Sequence, residues 1–348
     1  MRFAYFALRL IAATCLWISA ALAYEIEDHQ YYAATPEVSV LRIISTADRG
    51  VFEPIIEAFQ ASNAGISVDY TIVSATDLMQ AIYTEGASFD LAISSAMDLQ
   101  TKLANDGYAQ SYVPQRAASL PDWAIWRNQL FAFTQEPAVM VVSDKYFKEG
   151  EAPKTRDALI ALLRENPETF RGRIGTYDVR RSGFGYLMAT QDSRTSETFW
   201  RLTEVMGRLD AQLYCCSGDM IADVASGKLA LAYNVLGSYA ASELAHTDGF
   251  HIVELTDFVN VMLRTILIPS NARNVSDAQT MVDFLISLRS RADLVQASGL
   301  PPIDTGALRD NPALRPIRFG PGLLVFLDQL KESKFLRSWE NSIVQETP

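Results

Sequence analysis

Histidine is nearly missing from this chain: His29, His246 and His251 are the 3 in 348 residues. That removes the side chain most often used as a general base near neutral pH, and the commonest metal ligand. Cysteine is as sparse, with Cys15, Cys215 and Cys216, so neither a disulfide framework nor a zinc cage of conventional ligand spacing can be assembled. No G-x-S-x-G, H-E-x-x-H, C-x-x-C or Walker pattern occurs, which argues against serine hydrolysis, zinc proteolysis, dithiol exchange and nucleotide chemistry. Carboxylate pairs such as Asp248 with Glu254 carry no information in a chain that is 20% charged. The expectation is a protein that is not an enzyme and holds no cofactor and no metal. Basic residues are in the minority, 30 against 41 acidic ones, for a formal charge of -11. Nucleic acid needs a basic surface, so it is excluded as a partner.

A long apolar stretch occurs at the start. Arg2 and Arg9 precede or flank an apolar run, Leu10 to Ala20, that is too short to span a bilayer comfortably, and Ala21-Leu22-Ala23 supplies a small-x-small cleavage site. The reading is a signal peptide over residues 1–23, a mature chain beginning near Tyr24 and a periplasmic location; an uncleaved anchor is the alternative. Cys15 lies inside the apolar run rather than after it, which disfavours lipid attachment. Loss of Arg2 and Arg9 with the leader moves the formal charge from -11 to -13. No second stretch is long enough for a transmembrane helix, and 49% hydrophobic residues suffice for a large core. The remaining length, about 325 residues, suits two domains.

Short apolar runs then alternate with amphipathic helices. Val38 to Ile44 reads as a strand, followed by a helix with Phe52, Ile55, Ile56 and Phe59 on one face. Val68 to Val73 is a second strand, Leu78 to Tyr83 a short helix, and Phe89 to Ile93 a third strand. Such alternation implies parallel pairing with crossover helices, hence an α/β fold. Leu130 to Val142 reads as a long extended crossing broken by the polar Gln135-Glu136-Pro137. A helix over Ala158 to Leu163 and a strand beginning at Arg173 open a second α/β lobe. The expected organisation is lobe 1 over 24–136, lobe 2 over 137–252, and a return to lobe 1 with C-terminal helices over 253–348. Ile266 to Pro269 reads as a strand end, and Ser276 with Gln279 forms a capping-box pattern opening a helix with Met281, Val282, Leu285 and Leu288 on one face.

Leu41 to Thr46, Phe89 to Ser94, Gly172 to Gly175, Gly227 to Tyr233 and Ile266 to Asn271 occur in an order that resembles type II periplasmic solute-binding proteins, over roughly residues 38 to 300. The resemblance is to the receptors of iron(III)-type ABC importers and their relatives. It implies two α/β lobes joined by crossing hinge strands that close on a small ligand. The implied partner is an inner-membrane ABC permease, with a membrane sensor kinase as the alternative, and the protein is expected to be a monomer. In iron-binding relatives a pair of adjacent tyrosines grips ferric ion; here the matching positions read Ser238-Tyr239. One phenolate is lost, so the ferric site does not transfer.

Open α/β sheets bind ligands beyond the carboxyl ends of their strands. Ser45, Thr46, Asp48 and Arg49 follow the first strand, and Ser94 and Ser95 the third. Hydroxyls and N–H groups at helix starts suit carboxylate or phosphate oxygens. Gln135 lies in the polar kink of the crossing. In the second lobe, Tyr177, Arg180, Arg181 and Ser182 lie between a strand and a helix; one arginine is expected to face inward, and Ser182 to cap the helix. Asn234 ends a buried strand, with Ser238 and Tyr239 beyond it. Tyr214 and Ser217 flank Cys215-Cys216, for which three states are open: reduced semi-buried thiols, the favoured one, a disulfide between neighbours, or a soft-metal site. The expected ligand is a small anion.

Overall fold

The computed structural model describes residues 24–345; the expected signal peptide and Cys15 lie outside them. Among the described residues no helix is long and apolar enough to cross a membrane. The first of two mixed sheets contains β1 (Asp28–Tyr32), β2 (Ser39–Ser45), β3 (Ile66–Ile72), β4 (Leu91–Ser94), β5 (Ile125–Trp126), β6 (Leu130–Ala132) and β13 (Thr265–Leu267), in the order β1-β3-β2-β4-β13-β6-β5. β2 is parallel to both β3 and β4, as strands joined by crossover helices require. The Arg49–Ser62 helix supplies one such crossover and buries Val51, Phe52, Ile55, Ile56 and Phe59 against the sheet. Each large apolar side chain so buried contributes about 1.5–3 kcal/mol. Phe59 also meets Phe284 edge-on, ring centroids 5.5 Å apart. That contact joins the first crossover helix to the late Val275–Ile286 helix, bringing segments distant in sequence into one lobe.

The second sheet contains β7 (Glu136–Ser143), β8 (Ile174–Tyr177), β9 (Gln212–Tyr214), β10 (Leu231–Leu236), β12 (Val259–Met262) and β14 (Leu314–Pro316), in the order β14-β12-β7-β10-β8-β9, while β11 (Phe250–Val253) also pairs with β7. The return to the first sheet therefore falls later than 253. β11 and β12 both pair with β7, and the chain re-enters the first sheet only at β13. Val259–Met262 and Thr265–Leu267 are equally apolar, so periodicity does not tell which sheet takes each. The C-terminal helix Gln329–Ile343 sets Phe335, Trp339 and Ile343 into the core formed by Phe199, Leu202 and Met206. With β14 it belongs to the second lobe rather than the first.

Among the described residues three crossings join the lobes: between β6 and β7, between β12 and β13, and at residues 301–304 on the way from β13 to β14, where Thr134 bridges Pro302 beside the first crossing. Glu136 starts β7, and Arg264 sits between β12 and β13; both side chains are fully buried. Arg264 Nε and Nη2 each donate to Glu136 at 2.9 Å, and Thr134 Oγ1 adds a 2.7 Å bond to the same carboxylate. An ion pair thus ties the first two of these crossings together.

The late helix does not start as the capping-box pattern implied. Asn274 is its N-cap, accepting from Asp277 N–H, and Ser276 already lies inside the first turn. Asp90 explains the shift, since its Oδ1 accepts from the N–H groups of both Arg273 and Asn274 at 2.8 Å and fixes the chain just before the helix.

The helix Gly183–Thr195 packs directly on β8, and glycine makes this possible: a methyl at Gly185 would lie 2.3 Å from Tyr177 Cβ. Gly185→Ala is expected to lower stability by about 1–3 kcal/mol through overpacking, measured as a shift in the urea midpoint. An unchanged midpoint would mean that the helix can move off β8 at no cost.

Candidate functional site

A cavity of about 130 Å³ opens between the lobes, at the carboxyl ends of β2, β4 and β8. From the first lobe come Glu27, Thr46, Asp48, Ser74 and Ser95; from the second, Tyr177, Arg181, Ser182, Ser217 and the Cys215–Cys216 pair; Tyr239 lies at the seam.

The first-lobe wall is made where β2 and β4 end side by side. Thr46 Oγ1 accepts from Ser95 N–H at 3.1 Å and lies 3.5 Å from Ser95 Oγ, so two hydroxyls are presented together. Ser45 and Ser94, expected beside them, are turned the other way. Ser45 Oγ accepts from Tyr70 Oη at 2.8 Å and from Ala47 N–H at 3.0 Å. Ser94 Oγ accepts from Ala96 N–H at 3.1 Å. Both are buried and serve the sheet. Successive strand residues face opposite sides, so the hydroxyl one position later is the one that reaches the cleft. Arg49 points away and pairs with Asp28 through Nε at 2.9 Å.

In the second lobe the turn after β8 separates the two arginines. Asp178 Oδ1 accepts from Arg180 Nε at 2.8 Å, and Oδ2 from Nη2 at 2.7 Å, while Arg180 Nη1 reaches Glu340 at 3.3 Å. Arg180 is thereby held against the C-terminal helix, with its guanidinium carbon 5.7 Å from the Trp339 ring centroid. Arg181 lines the cavity, and its guanidinium has no hydrogen-bond or ion-pair partner among the described residues. Ser182 caps the Gly183–Thr195 helix as expected, accepting from Gly185 N–H at 3.1 Å. Gly183 permits a close approach of the lobes, since a methyl there would be 2.8 Å from Ala75 Cβ.

Four other expected residues serve the scaffold. Gln135 Oε1 accepts from Asp304 N–H at 2.8 Å, away from the cavity. Tyr214 Oη donates to Asp223 at 2.5 Å. Asn234 adopts φ 63° at an irregularity in β10 and donates to buried Asp192 at 2.9 Å. Ser238 is buried and donates to Glu136. Tyr239 does reach the cleft, and Asp48 N–H donates to its Oη at 3.1 Å. Burial pushes the phenols of Tyr177 and Tyr239 up, away from the phenolate form.

Glu27 and Asp48 give the first-lobe wall negative charge. Burial pushes the Asp48 carboxyl up, against the pull of Arg264 and Tyr239. Glu27 is pushed up by burial and by Asp48, Asp77 and Glu25 around it. Glu27 has no sequence signal: it precedes β1 and reaches the cleft because its N–H donates to Ile72 O at the end of β3, 2.9 Å away. Cys215 and Cys216 correct the favoured reading of buried thiols, for they are bonded to each other and solvent-exposed. Their Sγ atoms and a carboxylate oxygen of Asp219 lie within 4.8 Å of one another; in the bonded pair neither sulfur is a thiolate that could hold a metal.

Residues 41–298 match the family model described as bacterial extracellular solute-binding protein. A comparison with curated proteins finds no relative. Among solved structures, the chain is similar to the substrate-binding protein of an ABC transporter from Agrobacterium tumefaciens. The two share 31% identity, with 92% of this chain and 99% of that one covered and a TM-score of 0.87. The fold also matches AfuA from Actinobacillus pleuropneumoniae with fructose-6-phosphate bound, at 15% identity over 89% of this chain and 100% of that one, TM-score 0.69. Iron-bound HitA from Pseudomonas aeruginosa matches at 17% identity over 87% of this chain and 99% of that one, TM-score 0.67. With its two lobes, its inter-lobe cavity and a match over most of its length, the chain belongs to the bacterial extracellular solute-binding proteins and has the type II fold of ABC-transporter substrate-binding proteins.

Proposed function

We propose that this protein captures a small anion in the periplasm by closing its two lobes and delivers it to the inner-membrane permease of an ABC importer. The observation that carries the reading is Arg181, a cleft-lining guanidinium with no hydrogen-bond or salt-bridge partner among the described residues, in a cavity that Thr46 and Ser95 also line with hydroxyls. A phosphate or carboxylate would take forked donors from Arg181 and hydroxyl hydrogen bonds from Thr46 and Ser95. Glu27 and Asp48 favour a ligand whose other end donates hydrogen bonds, through hydroxyls or an ammonium. Ser238 in place of the first tyrosine of the adjacent pair favours such a ligand over a ferric ion held by that pair of phenolates. Closure would bend the two crossings near Glu136 and Arg264 and trap the ligand, because a ligand that touches both walls binds the closed form more tightly.

Native mass spectrometry of protein taken from a periplasm identifies a retained ligand by mass, and calorimetry with that compound follows. Charge-assisted hydrogen bonds contribute about 1.5–3 kcal/mol each, so Arg181→Gln is expected to weaken binding about tenfold or more. Arg180→Gln should leave affinity unchanged, since Arg180 serves Asp178 and Glu340. Equal affinity of wild type and Arg181→Gln would remove the anionic reading.

A further inference from the structure

The Cys215–Cys216 disulfide has a place but no task in the scaffold. A cross-link stabilises a fold by closing a loop of chain in the unfolded state, and neighbours in sequence enclose none. Its effect is therefore local. The pair joins Tyr214, the last residue of β9, to Ser217, the first of the Ser217–Ala225 helix. Both flanks are anchored: Tyr214 Oη donates to Asp223, and the Ser217 hydroxyl lies 2.5 Å from Tyr177 Oη. Tyr177, Ser217 and both cysteines line the inter-lobe cavity, so the bond fixes the shape of one stretch of its wall. Both cysteines are also exposed, within reach of a reductant. The described residues contain no other cysteine with which the bond could exchange.

We propose that Cys215–Cys216 is a redox switch in the ligand cleft: oxidised, it holds the wall in the shape that accepts the anion, and reduction releases the wall and weakens binding. The proposal rests on the reading of the cavity as an anion site. The reductant is a dithiol. One thiolate attacks a cysteine sulfur, the S–S bond breaks, and a mixed disulfide forms; the second thiol of the reductant then closes its own disulfide. Cys215 and Cys216 leave as two thiols carrying two protons, and the dithiol is oxidised by two electrons.

The test uses the mature protein purified without reductant, with inorganic phosphate and fructose 6-phosphate as probes in calorimetry. Iodoacetamide should label neither cysteine before treatment with dithiothreitol and both afterwards. Reduction is expected to weaken the binding of whichever probe binds by at least fivefold, and reoxidation to restore it. Cys215→Ser/Cys216→Ser should bind with the same affinity with and without dithiothreitol. Labelling of both cysteines without reductant would overturn the proposal, as would unchanged affinity after labelling has verified reduction. If neither probe binds the oxidised protein, hydrogen exchange over residues 174–183 and 212–220 decides. Identical exchange in the two redox forms overturns the switch, and different exchange upholds it, while the anionic reading is judged separately by Arg181→Gln.

Discussion

Glu136→Leu is expected to lower the stability of the protein by about 3–5 kcal/mol, because it leaves Arg264 charged and buried without its counter-ion. Glu136 accepts from Arg264 Nε and Nη2, from Thr134 Oγ1 and from Ser238 Oγ, and both members of the pair are shut off from solvent. Arg264 has no slack to absorb the loss, since its Nη1 is already buried without a hydrogen-bond partner among the described residues. The double variant Glu136→Leu/Arg264→Leu should recover much of the stability, since two apolar side chains replace a pair whose desolvation cost offsets most of its attraction. Urea denaturation of the two single variants and the double one measures this. Additive losses would mean that the two residues do not act as a pair. Position makes the pair more than a core feature. Glu136 and Arg264 lie on two of the three crossings, so the double variant, though folded, should differ from wild type in how its lobes close.

Much of the scaffold was legible because its elements carry strong local patterns. Phe52, Ile55, Ile56 and Phe59 recur at helical spacing, and all are buried. The strand-end rule pointed to the edge where the inter-lobe cavity opens, and Thr46, Ser95, Tyr177, Arg181, Ser182 and Tyr239 line that cavity. The expected residues that do not line the cavity differ from those that do by single-residue geometry. Ser45 and Thr46, or Ser94 and Ser95, are chemically interchangeable to a sequence reading, yet the strand's alternation sends one of each pair into the core. The arginines separated for another reason, because Asp178 claims Arg180 through a two-residue turn. Contacts distant in sequence were illegible. Ser238 meets Glu136 across 102 positions and Asn234 meets Asp192 across 42, so polar residues that looked available to a ligand are occupied by the fold. The same limit hid the lobe of β12, since its partner β7 lies far upstream.

Asp98→Asn is expected to stabilise the protein at alkaline pH and to do so less and less as the pH falls. Asp98 is the second residue of the Met97–Asn105 helix and is almost fully buried. Leu99 N–H donates to its Oδ1 at 2.9 Å. Burial dominates, with Glu332 adding repulsion, and the carboxyl is pushed up to about 7 from its ordinary 3.8. A carboxyl whose pKa is higher folded than unfolded favours the folded state when protonated. Its contribution is therefore fully present below about pH 4 and is lost as the pH rises through about 7. At about 1.4 kcal/mol per unit, the full loss is on the order of 4 kcal/mol. Asparagine keeps the carbonyl oxygen that accepts from Leu99 and carries no charge at any pH, so the variant escapes the loss. Thermal unfolding of both proteins at pH 5, 6.5 and 8 should show the variant melting higher at pH 8, with the gap narrowing toward pH 5. A gap of constant size would mean that the benefit of asparagine comes from packing, and that Asp98 titrates alike in the folded and unfolded chain.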